Sequence, residues 1–464
     1  MFRIRNHVGR SFQSMKMRMT RMSTTVPNAV DIPNSKPVAY WLFGMGGLVA
    51  GMVTVGGITR LTRSGLSMTD WKLKGNMPPM NLAEWEAEFE RYKQFPEWQQ
   101  RKSMTLDEFK FIYFWEYGHR MMGRSLGFAF AIPAFYFAAR GMIPKRLYSR
   151  VALLFGLGGA QGLIGWWMVK SGLNMDPEQK KEIRVSPYRL TTHLSMAFTT
   201  YCLLIWTALD VLHGPEAMRA TAQKMGADVL KHARKVRKLA AVSAVVAATT
   251  VVSGAFVAGN DAGRAYNTFP LMDDKIIPLS DMFTMEPTWR NFFENTATVQ
   301  FDHRVLAMST LASVLGTYAV AMKSECMKAL PAASRRALHH AAGMVLLQVG
   351  LGITTLLMYV PVSVAAMHQA GSLVLLTFLT HLVHSLGFVK HAPAAVSGAG
   401  AGAGPAAGGR AVAGAMLVVG SAAAARSVGA RSVVPYGTKV MQRHAPQQQL
   451  VKIPTIAFPK NWTK

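Results

Sequence analysis

Four histidines lie at matched places in this chain of 464 residues, each a turn or two inside the start of every second apolar segment. They are His119, His193, His303 and His368. An ionisable side chain is costly inside a bilayer, so its recurrence in alternate segments needs a functional explanation. Neutral imidazole is a good ligand for iron, and the arrangement favours two haem irons, each held by two histidines.

The pairing of the histidines follows from their depth. Alternate segments cross a membrane in the same direction, so a histidine near the start of each lies at a similar depth. Two imidazoles at equal depth on facing helices can bind one flat, axially ligated iron, which pairs His119 with His193 and His303 with His368. A lone intramembrane histidine is more often a packing residue or a proton relay, but four at matched positions favour ligation. Clusters of Cys and His with the spacing of a zinc site are absent from the sequence.

Glu116 distinguishes the first histidine from the third. It lies three residues before His119, on the same face of a helix, whereas Gln300 holds the corresponding place before His303. A carboxylate beside one predicted iron site can move protons or stabilise a developing cation, so we favour a catalytic role. The alternative is an interfacial acid paired with Arg120 or Arg124.

Arg120 and Arg304 each follow a histidine directly. One step along a helix turns the side chain by about 100°, so neither arginine points at the same iron as its neighbour. Two interpretations stay open: the guanidinium binds a haem propionate, or it extends to the polar membrane interface.

The apolar segments predict an all-α integral membrane protein with eight transmembrane helices. Half of the residues are hydrophobic and only 16% are charged. Runs of about 20 apolar residues cross a bilayer, and we predict spans at 37–58, 114–139, 150–169, 189–212, 239–258, 297–321, 338–359 and 362–388. The net charge of +27 arises largely between apolar segments, which indicates membrane topology and not nucleic-acid binding. The two cysteines suggest neither a disulfide framework nor a thiolate metal site.

The chain carries an internal repeat. Gln-Gly-Leu-Ile-Gly at 161–165 is matched by Gln-Val-Gly-Leu-Gly at 348–352, and the phrases around the histidines recur in the same order. This order predicts two duplicated four-helix bundles, at 37–212 and 239–391, joined by a basic linker at 213–238. An Ala/Gly-rich flexible tail is expected at 392–464. Glycine pairs four residues apart, at 47 and 51 and at 158 and 162, predict close helix–helix contacts.

The N-terminal segment resembles a targeting sequence. Residues 1–30 are rich in arginine, contain several Ser and Thr, and hold no acidic residue, which is typical of a mitochondrial transit peptide. We therefore expect a transit peptide and N-terminal arm over 1–36. The basic connections 140–150, 213–238 and 322–337 and the acidic connection 259–296 predict termini on the matrix side of the inner membrane. The predicted haem sites then lie toward the intermembrane-space face.

Several phrases together resemble the mitochondrial haem A synthase family, which acts in the assembly of cytochrome c oxidase. The resemblance spans about 37–390 and rests on the phrases GGITRLTRSGLSM (56–68), WEYGHRMMGR (115–124), QGLIGWWMV (161–169), TTHL (191–194), QFDHR (300–304) and MHQA (367–370). Two departures stand out. A cysteine pair found in an outer loop of many bacterial relatives is missing here, and the tail after His391 does not match.

The resemblance implies an oxidoreductase that converts a methyl group of haem O to the formyl group of haem A by successive hydroxylation. It implies that His119 and His193 flank the substrate haem and that His303 and His368 ligate a prosthetic haem b. Glu116 matches the functionally important acid of the family. The implied partners are a ferredoxin and ferredoxin reductase system, haem O synthase and cytochrome c oxidase assembly factors; self-association into a homo-oligomer is left open.

The main alternative is a di-haem membrane cytochrome b that exchanges electrons with a quinol. It would use the same four histidines, although such cytochromes often place two ligands on one helix. A transporter is a third alternative, but broken helices at mid-membrane are not evident in the sequence.

Overall fold

The computed structural model describes residues 35–72, 74–176 and 182–392, and this part of the chain is helical apart from turns, loops and one isolated bridge between Met272 and Lys275. The predicted transit peptide and the predicted flexible tail lie almost entirely outside the described residues. Eight long helices are labelled here in chain order: α1 Lys36–Leu61, α2 Leu106–Ala139, α3 Tyr148–Leu173, α4 Pro187–Leu212, α5 Ala227–Gly259, α6 Thr296–Met322, α7 Ala332–Leu357 and α8 Val362–Ser385. We refer to α1–α4 as the first half and to α5–α8 as the second half.

Seven of these long helices are long and apolar enough to cross a membrane, and the exception among the described residues is α2. The chain is therefore a multi-pass, all-helical membrane protein in its described part. The prediction of eight spans is supported for seven of them by length and composition alone. Helix α2 falls short because Glu116, Arg120 and Arg124 interrupt its apolar sequence.

Helix α2 begins at Leu106, eight residues before the predicted start of the second span. Its first turn is closed by a capping box, in which the side chain of Thr105 accepts from the backbone N–H of Glu108 and that of Glu108 accepts from the N–H of Thr105. The added turns carry Phe109 and Tyr113, which are buried against Phe89 of the extramembrane helix Leu82–Lys93 and its neighbours. Aromatic packing outside the apolar span thus extends this helix, and a hydropathy profile does not detect such packing.

The predicted basic linker 213–238 is also helical. It forms the helix Pro215–Gln223 and the first turns of α5, which begins at Ala227 and not near 239. Leu230, Ala233 and Val236 recur at helical spacing and are buried, and they pack against Leu386 and Phe388 beyond the end of α8. The lysines of this stretch are exposed, whereas Arg237 donates to the backbone carbonyl of Val383 on α8, so the linker covers the end of the bundle.

The two halves pack with the same neighbours in the same order. Within each half the first helix contacts the second and the fourth, and the third contacts the second and the fourth. Helices α4 and α8 contact each other and the first helices of both halves, so the centre of the molecule is formed by α1, α4, α5 and α8. The predicted helix contacts at Gly47, Gly51, Gly158 and Gly162 are wrong, because a Cβ atom at each of them would meet nothing within 4 Å.

Polar side-chain contacts join the halves at both ends of the bundle. Beyond the end of α5, Asp261 accepts hydrogen bonds from Arg60 of α1 and Arg184 of the segment before α4, each at 3.2 Å. Burial acts to raise the pKa of Asp261, but the two guanidinium groups outweigh it and hold that pKa below its usual value. At the opposite end, Asp210 of α4 is 2.9 Å from Nε2 of His384 on α8.

Candidate functional site

All four predicted histidines lie on even-numbered helices, each pressed against a glycine of the preceding odd-numbered helix. The four pairs are Gly56 with His119, Gly165 with His193, Gly254 with His303 and Gly352 with His368. A Cβ atom added at these glycines would lie 2.9 to 3.2 Å from the histidine Cε1 atom, closer than the 3.4 to 4 Å of ordinary contact. Each glycine therefore provides the space in which one edge of an imidazole ring rests, and we call these four residues the contact glycines.

The histidines form two pairs, as the repeat predicts. The ring of His193 lies close enough to that of His119 for a charge on one to affect the other, and the same holds for His303 and His368. Three of the four occur six or seven residues after the start of their helices; His119 occurs later in α2 because that helix has additional turns at its start. Each half of the molecule thus brings two imidazoles together near the same end of its helices.

The ring nitrogens differ between the pairs. In the second half, Nδ1 of His303 is 2.8 Å from the hydroxyl of Ser253, and Nδ1 of His368 is 3.1 Å from the side-chain amide nitrogen of Gln348. In the first half, Nδ1 of both His119 and His193 is buried and has no hydrogen-bond partner among the described residues. The Ser253 hydroxyl can accept from Nδ1 of His303 and so leave Nε2 of that ring for a ligand, whereas the Gln348 amide nitrogen can only donate to Nδ1 of His368.

A glutamine on α3 and another on α7 support the second histidine of each pair. The side-chain amide of Gln161 donates to the backbone carbonyl of His193 at 3.1 Å, and that of Gln348 donates to the backbone carbonyl of His368 at 2.9 Å. Each glutamine precedes its contact glycine by four residues, one helical turn. The two matched phrases of the sequence therefore encode one structural unit, a glutamine and a glycine that together hold the histidine of the neighbouring helix.

Glu116 is buried, with 3% of its surface exposed, and is paired with Arg120 at 2.5 Å between Oε1 and Nε. Of the two roles considered for this acid, the ion pair with Arg120 is present in the structure. Gln300, its counterpart in the second half, is equally buried at 2% exposure, and its Oε1 atom has no partner among the described residues. A buried carboxyl group therefore lies beside the histidine pair of the first half at a point where the second half has an amide.

The arginines that follow two of the histidines hold loops outside the bundle. Arg120 donates to the backbone carbonyls of Met68 and Asp70, at 2.9 and 2.7 Å. Arg304 donates to four carbonyls of the acidic connection, those of Tyr266, Thr268, Pro270 and Leu271. In this structure both guanidinium groups thus fasten loop backbone over the ends of the helices, and Nε of Arg304 stays buried without a partner among the described residues.

The donor set fits a haem better than a free metal ion. No group of three or more His, Cys, Asp and Glu side chains that could hold a metal ion occurs in the described residues. A haem iron needs only two axial ligands from the protein because its porphyrin supplies the other four. Two facing imidazoles whose edges are fixed by glycine meet that requirement in each half.

The contact glycines are the functional residues that sequence reasoning missed. Gly165, four residues after Gln161, accommodates the ring of His193. A signal was present in the sequence: a glutamine is followed by a glycine four residues later in both repeats, at 161 and 165 and at 348 and 352. For Gly56 and Gly254 the surrounding letters differ, so only packing identifies them as equivalent.

Comparison with known proteins gives consistent results. A protein called heme A synthase COX15 from Arabidopsis thaliana is 51% identical over 352 residues, which cover 76% of this chain and 75% of that protein. The human protein of the same name is 45% identical over 75% of this chain and 82% of its own length. A heme A synthase from Nitrosomonas eutropha is 42% identical over 77% of this chain and 97% of its own length. The sequence model of the COX15-CtaA family, described as cytochrome oxidase assembly protein, matches residues 39–380, and this chain therefore belongs to that family.

Proposed function

We propose that this chain is a haem A synthase, an oxidoreductase that acts on a C–H group and converts a methyl group of haem O to the formyl group of haem A. The observation that carries the proposal is the combination of two histidine pairs with a single buried carboxylate, Glu116, beside only one of them. Two equivalent electron-transfer haems would need no such difference between the halves. The names of the similar proteins describe the same activity.

The first half is proposed to bind the substrate. His119 and His193 would flank the haem O iron and fix the ring at one depth, and their contact glycines would restrict how the imidazoles rotate. Glu116 lies one turn from His119, and its Oε1 atom is 2.5 Å from Nε of Arg120. A buried carboxylate in this position stabilises positive charge that develops at the reacting carbon and accepts the protons released there.

The second half is proposed to hold a resident haem b between His303 and His368. The site fits the group, since a contact glycine positions both rings and the Ser253 hydroxyl, by accepting from Nδ1 of His303, leaves Nε2 of that ring for iron. Haem b, when bound, supplies a one-electron carrier for electrons removed from the substrate. Arg120 and Arg304 contribute positive charge at the ends of the sites, where haem propionates would lie, while they fasten the outer loops.

The proposed enzyme crosses the mitochondrial inner membrane eight times, as two duplicated four-helix bundles, with both termini in the matrix. The matched order of helix contacts in the two halves and the four glycine–histidine pairs support the duplication. Inclusion of α2 as a span is supported by its 34 residues, of which the charged ones lie toward its start. The acidic connection before α6 and the basic connections support the orientation.

Partners follow from the proposed chemistry. Haem O is made by haem O synthase and is too apolar to diffuse freely in water, so transfer between the two membrane enzymes is expected. Electrons would be exchanged with a ferredoxin and ferredoxin reductase system, and the product would pass to cytochrome c oxidase assembly factors. The exposed aromatic and aliphatic side chains along α2 and α3, among them Phe128, Ile132, Phe135 and Leu163, support contact with the lipid bilayer.

Pigment analysis tests this function. The full chain is expressed in a host that supplies haem O and has no haem A synthase of its own, and the haems are extracted and chromatographed. Haem A or its hydroxylated precursor supports the proposal. Haem B alone, from cells shown to contain haem O, would favour the di-haem cytochrome, and the absence of any bound haem would refute both haem functions.

A further inference from the structure

The four proposed iron ligands differ in what supports their second ring nitrogen. Nδ1 of His303 contacts the hydroxyl of Ser253 at 2.8 Å, whereas Nδ1 of His119, its counterpart in the first half, is buried without a partner among the described residues. An unsatisfied buried nitrogen is unfavourable, so its occurrence on both rings of one pair and on neither ring of the other is a specific difference.

Hydrogen bonding around Ser253 determines which nitrogen of His303 carries the proton. The single hydroxyl proton of Ser253 is donated to the backbone carbonyl of Thr250, at 2.8 Å. The hydroxyl oxygen therefore accepts from the imidazole, so the proton of the neutral ring lies on Nδ1 and Nε2 keeps its lone pair. This is the tautomer that binds iron through Nε2.

The second ligand of the same pair also has a polar neighbour, but one of a different kind. Nδ1 of His368 is 3.1 Å from the side-chain amide nitrogen of Gln348, a group that can only donate. The corresponding glutamine of the first half, Gln161, reaches only the backbone carbonyl of His193. The same residue type at the same position thus fixes the imidazole ring in one half and only the helix backbone in the other.

The sequence shows why Nδ1 of His303 has a hydroxyl partner and Nδ1 of His119 has none. Ser253 immediately precedes the contact glycine Gly254, and the residue that immediately precedes the contact glycine Gly56 is Val55. A valine side chain has no hydrogen-bonding atom, so it offers nothing to Nδ1 of His119.

We propose that Ser253 is a positioning residue that makes His303 a permanent ligand, and that valine at the equivalent position leaves the haem of the first half exchangeable. The inference rests on the proposed function, in which one haem stays and the other enters as substrate and leaves as product. A histidine ligand that donates its other N–H is fixed in tautomer and orientation and is more basic, and loss of such a partner weakens metal binding by about 10- to 100-fold. The enzyme therefore holds the two haems with the same ligands but with different strength.

Substitution of Ser253 tests the inference on the haem itself. The full-length protein is purified with its haems bound, as the wild type and as Ser253→Ala, and haem b loss to apomyoglobin and the haem b midpoint potential are measured. We expect loss from Ser253→Ala to be about 10-fold faster, because the Thr250 carbonyl remains beside the ring and limits the effect to the lower end of the range. The midpoint potential should rise, because a less basic ligand stabilises ferric iron less.

Two further variants serve as controls. Ser253→Thr keeps the hydroxyl and should behave as the wild type. Ser313→Ala removes a hydroxyl that makes the same kind of bond, to the carbonyl of Thr310 at 3.0 Å on α6, where no histidine is involved. If Ser253→Ala matches Ser313→Ala in both haem loss and midpoint potential, the inference is overturned.

The reverse substitution keeps the test decisive even where Ser253→Ala does not fold. Val55→Ser places a hydroxyl beside His119, and we expect slower loss of haem O from the first half. An unchanged rate of haem O loss would overturn the inference while leaving the proposed function standing. A wild-type protein that binds no haem would instead refute the proposed function, so the two failures are distinguishable.

Discussion

The contact between Gly352 and His368 makes a sharp prediction about haem binding. In Gly352→Ala the new Cβ atom would lie 2.9 Å from Cε1 of His368, and ordinary contact begins at 3.4 Å, so the ring must move by about 0.5 Å. That shift equals the tolerance of about 0.5 Å within which a binding group must be held. Because the glycine lies within α7 and the ring is held through Nδ1, neither partner yields freely.

The size of the effect follows from the energy of overpacking. An added methyl group in a packed site costs about 1 to 3 kcal/mol. If this entire cost is incurred when the His368 ring adopts its iron-binding position, haem b binding weakens by about 5- to 140-fold, because about 1.4 kcal/mol corresponds to a tenfold change in affinity. Gly165→Ala should perturb His193 less, since its Cβ atom would lie 3.2 Å from the ring.

Gly350→Ala provides the matched control. Gly350 lies two residues away on α7, and a Cβ atom there would meet nothing within 4 Å. Both Gly→Ala substitutions raise helix propensity by about 1 kcal/mol, so any difference in haem retention between the two variants reports the contact with the His368 ring. Haem content per protein and haem loss to apomyoglobin are measured on folded, purified variants. Equal haem retention in the two alanine variants would refute the argument.

Three further predictions follow. Glu116→Gln should keep both haems and lower formation of the formyl product by about 100-fold or more, since a general acid–base group contributes at least that factor; a normal yield of haem A in a chromatographic assay would show that the acid is not catalytic. His303→Ala should lose haem b and retain haem O; loss of haem O alone, by extraction and chromatography, would reverse the assignment of the halves. Asp261→Asn should lower the free energy of unfolding by about 1.5 to 3 kcal/mol, because it weakens charged hydrogen bonds from Arg60 and Arg184. The pKa of Asp261 is lowered in the folded protein, so the wild type should exceed Asp261→Asn in free energy of unfolding by the full amount above about pH 5. The difference between the two proteins should shrink as the pH falls below about 4, toward the folded pKa, and can be followed by thermal unfolding. A difference that grows on acidification would contradict the reasoning.

Much of the architecture was predictable because membrane helices are specified by local composition. Seven of the eight predicted spans coincide with helices of suitable length and hydropathy. The start of α2 was wrong by eight residues, since charged residues precede and follow Phe109, and Phe109 and Tyr113 are buried only by aromatic residues distant in sequence, such as Phe89. The helical nature of 213–238 was missed for a similar reason, because its charges conceal a buried stripe that pairs with residues near 386.

In the candidate site, too, some residue roles could be predicted from the sequence and others could not. Histidines on alternate helices could be paired from the sequence because polar rings are costly in lipid and the repeat sets their depth. The roles of Arg120 and Arg304 could not be decided, since their partners are loop carbonyls that lie 33 to 52 residues away. Their use in fastening loops became visible only with the backbone in place.

The sequence by itself determined which groups are available for chemistry. These are four imidazoles in two pairs, and Glu116 in the first repeat where the second repeat has the neutral Gln300. Residue identity and the cost of burying charge suffice for that. Only the tertiary structure decided how each imidazole is held, through a contact glycine on the neighbouring helix and, for His303, through a serine that is 50 residues distant in the chain. The physical reason is register: helix packing decides which side chains of two apolar helices meet, and composition carries little information about it.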